Sequence, residues 1–283
     1  MGKVIFAEGP CRLSYSAGSL RIESEGEKRD VFLEDILSLV IESQQVSMTA
    51  PLLTRLADSG ITVILCDAKR QPSVALWPLF AAWNVFPRLE EQISWRAETL
   101  DAAWARIVRD KIACQCQLLA CRSVPAGPVP EVAPGDPGNA EGMFARQYFR
   151  GLFGSGFKRG SQDGTNGALN YGYTILYSAM GRIIAGHGYQ PALGIHHRGA
   201  TNNFNLASDC MEPFRPVIDR IVAEDPDRPL DRDYKIRLVR SLEGEILYRG
   251  ERNTVRNAME LYFCDVMSAA SGKAEAMGDL EIC

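Results

Sequence analysis

I-T-V-I-L-C-D-A-K-R-Q-P-S (residues 61–73) divides the chain, because the hydrophobic period changes across it. Its first half is an unbroken apolar run, the pattern of a strand buried on both faces. Its second half is polar and ends beside a helix breaker, the pattern of a connection. Upstream, short apolar runs are punctuated by turns. Lys3–Phe6 precedes Glu8-Gly9-Pro10, and Arg12–Tyr15 and Ser19–Glu23 flank Ser16-Ala17-Gly18 as a hairpin would. Val31–Leu33 and Ile36–Ile41 add two more runs. Between Met48 and Ala57, Leu52, Leu53 and Leu56 share a helical face, with Gly60 just past the end. Downstream, Leu100, Trp104, Ile107, Ile112 and Leu119 recur near the helical period and predict a helix over 98–121. A proline- and glycine-rich loop over 123–139 follows. Further helices are expected over 140–152, 167–185, 217–222 and 256–270. The fold class expected is α+β: a small β-rich domain with one helix (residues 1–72), a linker (73–78) and a larger all-helical domain (79–283).

Composition narrows the function. Of 283 residues, 46% are hydrophobic and 23% charged, which is ordinary for a soluble globular chain. A net charge of -4 provides no global basic field, so DNA binding requires a local patch or an oligomer. The eight cysteines contain no C-x-x-C pair and read as small buried hydrophobes of a reducing compartment. The most apolar window, Val74–Phe86, is too short to span a bilayer and contains Pro78. No signal peptide is expected, and the localisation expected is cytoplasmic.

Groups able to bind a metal or move a proton concentrate in G-I-H-H-R-G-A-T-N-N-F-N-L-A-S-D-C-M-E-P-F-R-P (194–216). It holds His196, His197, Asp209 and Glu212. D-C-M-E reads in two ways: as a capping box with Asp209 at N-cap and Glu212 at N3, or as part of a metal site. Glu141 sits in the first turn of the expected 140–152 helix, where a carboxylate complements the helix dipole. Ala145 and Tyr148 or Phe149 share its face, and burial there would require a cation beside Glu141. Arg146, Arg150, Lys158 and Arg159 are interleaved with aromatics in a stretch lacking acidic residues. They fit either a phosphate backbone or a solvated face. Two nucleophile schemes fail. Neither His196 nor His197 begins an H-x-x-R, and no serine lies in G-x-S-x-G. A divalent metal acting on a phosphodiester is the leading chemistry, and oxygen-rich ligands with one imidazole suit magnesium or manganese.

N-A-E-G-M-F-A-R-Q-Y-F (139–149), N-G-A-L-N-Y-G-Y-T-I-L (166–176) and N-F-N-L-A-S-D-C-M-E-P-F-R-P (203–216) resemble, in order, the CRISPR-associated integrase of spacer acquisition. L-S-Y (13–15) and V-I-L-C-D-A-K-R-Q-P (63–72) extend the resemblance to the N-terminal part. The M-E-P-F-R-P form is similar to the branch that accompanies Cas9-type effectors, which adds such an effector to the candidate partners. The resemblance implies a β-rich domain followed by a helical one. It also implies a homodimer, with two catalytic dimers clamping a small partner dimer on double-stranded DNA. The implied activity is metal-dependent: a 3′-hydroxyl of captured DNA attacks a phosphodiester at a CRISPR repeat, with nuclease activity on branched DNA besides. Carried over by motif, the ligands of Mg2+ or Mn2+ are Glu141, His197 and Glu212. Asp209 supports them, and Asn166 and Tyr173 lie on a neighbouring helix. His197 must be neutral to ligate, so acid weakens such a site. Two other readings stand beside this one: a structure-selective metal nuclease of DNA repair, and a non-catalytic DNA-binding scaffold.

Overall fold

A computed structural model of the chain describes residues 3–70, 72–76, 84–273 and 277–282, apart from the Leu37 side chain. It divides into two compact units, Met1–Ala81 and Ala82–Cys283.

The first unit holds two four-stranded sheets and a helix. Its elements are β1 (Lys3–Ala7), β2 (Cys11–Ser16), β3 (Ser19–Ser24), β4 (Glu27–Phe32), β5 (Ile36–Ile41), β6 (Val46–Met48), α1 (Ala50–Asp58), β7 (Thr62–Cys66) and β8 (Pro72–Leu76). One sheet has the order β1-β5-β7-β8 and the other β4-β3-β2-β6. Two-residue turns close the β2–β3 and β3–β4 hairpins. Both residues of each turn have positive φ, Ala17 and Gly18 in one and Glu25 and Gly26 in the other. That backbone matches the twist of the strands it joins. Leu13, Leu20 and Leu39 from the sheets pack with Leu52 and Leu56 of α1, all fully buried. The linker expected over 73–78 does not begin where composition placed it. Residues 73–76 belong to β8, which pairs antiparallel with β7. Pro72 opens β8 at the sheet edge, where a missing N–H costs no ladder bond. Residues 77 and 78 lie outside the described residues.

The second unit is mostly helical: α2 (Val85–Ile93), α3 (Ala97–Cys121), α4 (Ala140–Phe153), α5 (Gly164–Gly186), α6 (Asn205–Cys210), α7 (Arg215–Glu224), α8 (Arg232–Arg240) and α9 (Val255–Ala270). It is not all-helical. β9 (Glu245–Tyr248), β10 (Glu251–Thr254) and β11 (Leu280–Glu281) form a small antiparallel sheet in the order β10-β9-β11. Arg249 and Gly250, both at positive φ, close its hairpin. The buried α5 lies against α7 at Gly172, where an added Cβ would stand 2.4 Å from Ile218 Cγ2. A glycine there lets the two helices approach closely. Among the described residues, no helix is long and apolar enough to cross a membrane.

Candidate active site

The cleft is built from five segments of the helical unit. α4 presents Glu141, and its N-terminus is fixed by two acceptors. Asn139 accepts from the Gly142 amide at 3.1 Å, and Asp136 accepts from the amides of Ala140 and Glu141 at 2.8 and 3.1 Å. These satisfy donors that a helix start otherwise leaves open. α3 sends in Lys111, the loop between α4 and α5 contributes Arg159, α5 contributes Tyr173, and residues 194–219 contribute His197, Glu212, Arg215 and Asp219. Together Lys111, Gln115, Glu141, Ala145, Phe149, Arg159, Tyr173, His197, Glu212, Arg215 and Asp219 line a cleft of about 330 Å³.

The capping-box reading of D-C-M-E is not what forms. Phe204, not Asp209, precedes the first turn of α6, and Asp209 lies inside that helix. Its fully buried carboxylate points to the preceding loop instead. There it accepts from the amides of Ile195 (2.6 Å), His196 (3.1 Å) and His197 (3.1 Å), and from His197 Nδ1 at 2.6 Å. Backbone amides buried without an acceptor are costly, so this carboxylate sets the loop's shape. Gly194 is required by the same packing, because a Cβ there would meet His197 O at 2.4 Å and Asp209 Oδ2 at 2.8 Å. With Nδ1–H donated to Asp209, the imidazole directs the Nε2 lone pair away from the loop. The Asp209 hydrogen bond raises His197 above the ordinary imidazole pKa, although burial opposes it. Trp104 stacks flat on His196 at 4.2 Å and meets His197 edge-on at 5.7 Å.

At Glu212 the helix gives way to a 3-10 turn, Glu212–Phe214, because Pro213 disfavours a regular helix at the residue before it. The turn aims a buried carboxylate at two cations. Lys111 Nζ donates to Glu212 Oε2 at 2.5 Å, and Arg215 Nε donates to Glu212 Oε1 at 2.9 Å. Lys111 also donates to Glu141 Oε1 at 2.5 Å, so one ammonium joins α4 to the turn after α6. Burial opposes the Lys111 ammonium, but the charges of Glu212 and Glu141 outweigh it and raise its pKa. Burial likewise opposes the Glu212 carboxylate, yet Arg215 and Lys111 bring it down to about 2.

That depressed pKa has a signed consequence. The stability it confers is complete above the ordinary carboxyl value of 4.5 and is lost as the pH falls toward about 2. Melting temperatures recorded from pH 6 down to about 2 are expected to fall less steeply in Glu212→Gln than in the wild type. Identical slopes would show that Glu212 does not carry this acid sensitivity.

Beyond this ion-pair layer, Asp219 accepts from Tyr148 Oη at 2.7 Å and from Tyr173 Oη. Burial pushes Asp219 up to about 6 against the pull of both hydroxyls. Arg159 and Arg215 lie over the Tyr173 ring, 5.3 and 4.6 Å from its centroid.

The expected site residues are distributed as follows. Glu141, His197 and Glu212 line one cleft, with Asp209 behind His197 and Tyr173 on the wall. Asn166 does not line the cleft but stands behind Arg159: buried, it accepts from Arg159 and the Gly160 amide and donates to Lys158 O, ordering the loop before α5. Of the basic residues proposed for DNA, Arg159 lines the cleft. Arg146, Arg150 and Lys158 are exposed and do not line it. The sequence reading missed Lys111, Arg215 and Asp219. Lys111 had left a trace, because it stands at i+7 from Trp104 and i+4 from Ile107, a charge in the apolar stripe of α3.

A β-rich unit followed by a mostly helical one is the order that the resemblance to CRISPR-associated integrases led us to expect. The profile of the family described as CRISPR associated protein Cas1 matches residues 4–127 and 139–225. The chain belongs to the Cas1 family. A protein named CRISPR-associated endonuclease Cas1, from Neisseria meningitidis serogroup C (strain 8013), is 37% identical over 218 residues, which cover 75% of this chain and 71% of that protein. Among solved structures, a Cas1 protein from Thermotoga maritima is similar at TM-score 0.74 and 16% identity, covering 98% of this chain and 99% of that one. A casposase bound to integration product is similar at TM-score 0.69 and 19% identity, covering 97% and 92%. A chain of a Cas6-RT-Cas1–Cas2 complex matches at TM-score 0.69 and 19% identity, covering 96% of this chain and 35% of its own length. At these identities the structural likeness speaks for the fold.

Proposed function

We propose that this chain is a metal-dependent DNA integrase and endonuclease of CRISPR adaptation. In this reading it joins the 3′-hydroxyl of a captured DNA fragment to a phosphodiester of the CRISPR repeat. The observation that carries the reading is the convergence of Glu141, His197 and Glu212 on one cleft of a Cas1-family chain.

The donor set fits a divalent cation such as Mg2+ or Mn2+ in kind. It offers two carboxylates and an imidazole whose Nδ1 is already committed to Asp209. Glu141 and Glu212 already hold a positive charge between them, the Lys111 ammonium. Among the described residues, no three His, Cys, Asp or Glu side chains stand close enough to share one ion in this conformation. When bound, the ion supplies Lewis acidity and orientation at the phosphoryl oxygens. The chain's own groups do the rest. Arg159 and Arg215, braced on Tyr173, present positive charge where the negative charge of a five-coordinate phosphate builds up. Asp209 fixes the imidazole, and the Asp219–Tyr148–Tyr173 cluster holds the wall on which the arginines rest.

Partners follow from the same reading. They are double-stranded DNA, as captured fragment and as repeat, and a small Cas2-type protein. The likeness to a chain of a Cas6-RT-Cas1–Cas2 complex supports the second of these. The proposed assembly is two catalytic dimers per partner dimer, with a Cas9-type effector as the system's nuclease. The proposed dimer uses the β-rich unit, whose edge strands β4 and β8 carry exposed Phe32 and Val74. Light scattering at micromolar concentration is expected to give a dimer, and a monomer would count against this interface.

DNA holding separates from chemistry. Replacing exposed Arg150 and Lys158 together by alanine is expected to weaken binding to all duplexes alike. The salt slope should flatten by about 2 units if both touch phosphates, and metal uptake should persist. An unchanged slope would return the pair to a solvated face.

The test of the function is integration of a labelled short duplex into supercoiled plasmid, with and without EDTA. Insertion that EDTA abolishes is the expected result. Cutting without insertion would favour a repair nuclease. No reaction in either condition would favour a DNA-binding scaffold.

A further inference from the structure

Lys111 is 6% exposed, deep in the stripe of α3 that packs beneath the cleft. A lysine so buried stays charged only because its partners compensate the lost hydration. Here the partners are two carboxylates from different segments, each 2.5 Å from the ammonium. Two carboxylates brought to one site repel each other unless a cation joins them. Among the described residues, no other positive group bonds both: Arg215 reaches Glu212 alone. A divalent ion arriving between Glu141 and Glu212 would therefore meet the ammonium already there, and like charges a few ångströms apart in a buried site oppose one another strongly.

Resting on the reading of Glu141, His197 and Glu212 as a divalent-cation site, we propose that Lys111 is the site's internal cation. Its ammonium and the divalent ion are alternatives for the same carboxylate pair. A DNA phosphate entering the cleft accepts the lysine and so releases the pair to the ion. Phosphate is a strong acceptor for an ammonium, which makes the exchange an ordinary one. Its consequence is that DNA and metal strengthen each other's binding, by the same factor in both directions. Lys111 thereby holds metal affinity low until DNA is in place, which protects the chain from loading its ion without a substrate.

The experiment is a Mn2+ titration of the full-length protein without DNA, comparing the wild type with Lys111→Met, together with melting of both in EDTA. The variant should melt lower in EDTA, because its two carboxylates are left facing each other. It should regain stability as Mn2+ is added and bind the ion roughly tenfold tighter or more, the scale of a typical coupling between ligands. Adding DNA should raise Mn2+ affinity less in the variant than in the wild type. Equal or weaker Mn2+ binding by Lys111→Met, or unchanged melting in EDTA, overturns the proposal. Should Lys111→Met not fold in EDTA, Lys111→Gln settles the point. Folding restored by Mn2+ supports the exchange, whereas failure to fold at every Mn2+ concentration shows that no divalent ion replaces the ammonium. A wild type that takes up no Mn2+ even with DNA removes the metal reading and this inference together. Uptake by the wild type without a gain in Lys111→Met removes this inference alone.

Discussion

Glu141→Ala, His197→Ala and Glu212→Ala are each expected to lower strand transfer by roughly a thousandfold or more, because metal charge stabilisation is worth several kcal/mol of barrier. Their effects on folding should differ, and the difference is part of the test. Glu212→Ala takes from Arg215 its carboxylate partner and leaves Lys111 with Glu141 alone, so it should destabilise the fold by about 3 kcal/mol, the lower end for breaking a buried pair. Glu141→Ala leaves Lys111 paired with Glu212 and removes a carboxylate that is about one-third exposed, so its cost to stability should be smaller. His197 is half-exposed, and its loss should leave the fold nearly unchanged. Single-turnover integration beside urea unfolding separates the two quantities. A variant that keeps its strand-transfer rate removes its residue from the site.

Asp209→Ala is the second large effect. The carboxylate is fully buried and accepts from three backbone amides and from His197. Each amide left without an acceptor costs about 1–3 kcal/mol, so the loop over 194–197 should lose its shape. His197 would also lose the partner that fixes its tautomer, which for such supporting groups lowers metal affinity by roughly 10- to 100-fold. Asp209→Asn keeps one acceptor oxygen and should fall between alanine and the wild type in both measurements. If Asp209→Ala unfolds at the wild-type urea concentration, the loop is held by something else.

The fold was legible wherever hydrophobic period carried it. The long helix α3, the buried α5 and the unbroken run of β7 each announce themselves, because burial on a regular element writes its period into the sequence. β4 was harder to read: only Val31 of its six residues is buried, so its face carries no apolar alternation. The sheet β9-β10-β11 is hidden for another reason, since β11 joins β9 from more than thirty residues away and only tertiary contact defines it. In the site, Glu141, His197 and Glu212 were reached through motif resemblance, and their shared cleft is a fact of the structure. The role of Asp209 was half legible. Its spacing to Glu212 suggested a cap, but a buried carboxylate serves whichever amides are nearest, and those lie in the loop before it. Lys111 and Asp219 belong to helices whose sequences carry no motif for chemistry. A single charge in an apolar stripe reveals its purpose only when the opposing helix is known.

The most direct measurement is the electron paramagnetic resonance spectrum of Mn2+ bound to the full-length protein in the presence of duplex DNA. A ligating imidazole leaves a nitrogen hyperfine coupling on the metal, and His197 is the imidazole proposed. The wild type is expected to bind Mn2+ with that coupling, and His197→Ala to lose it while His196→Ala retains it. A coupling that survives in His197→Ala, or a wild type with no bound Mn2+ at all, would contradict the account.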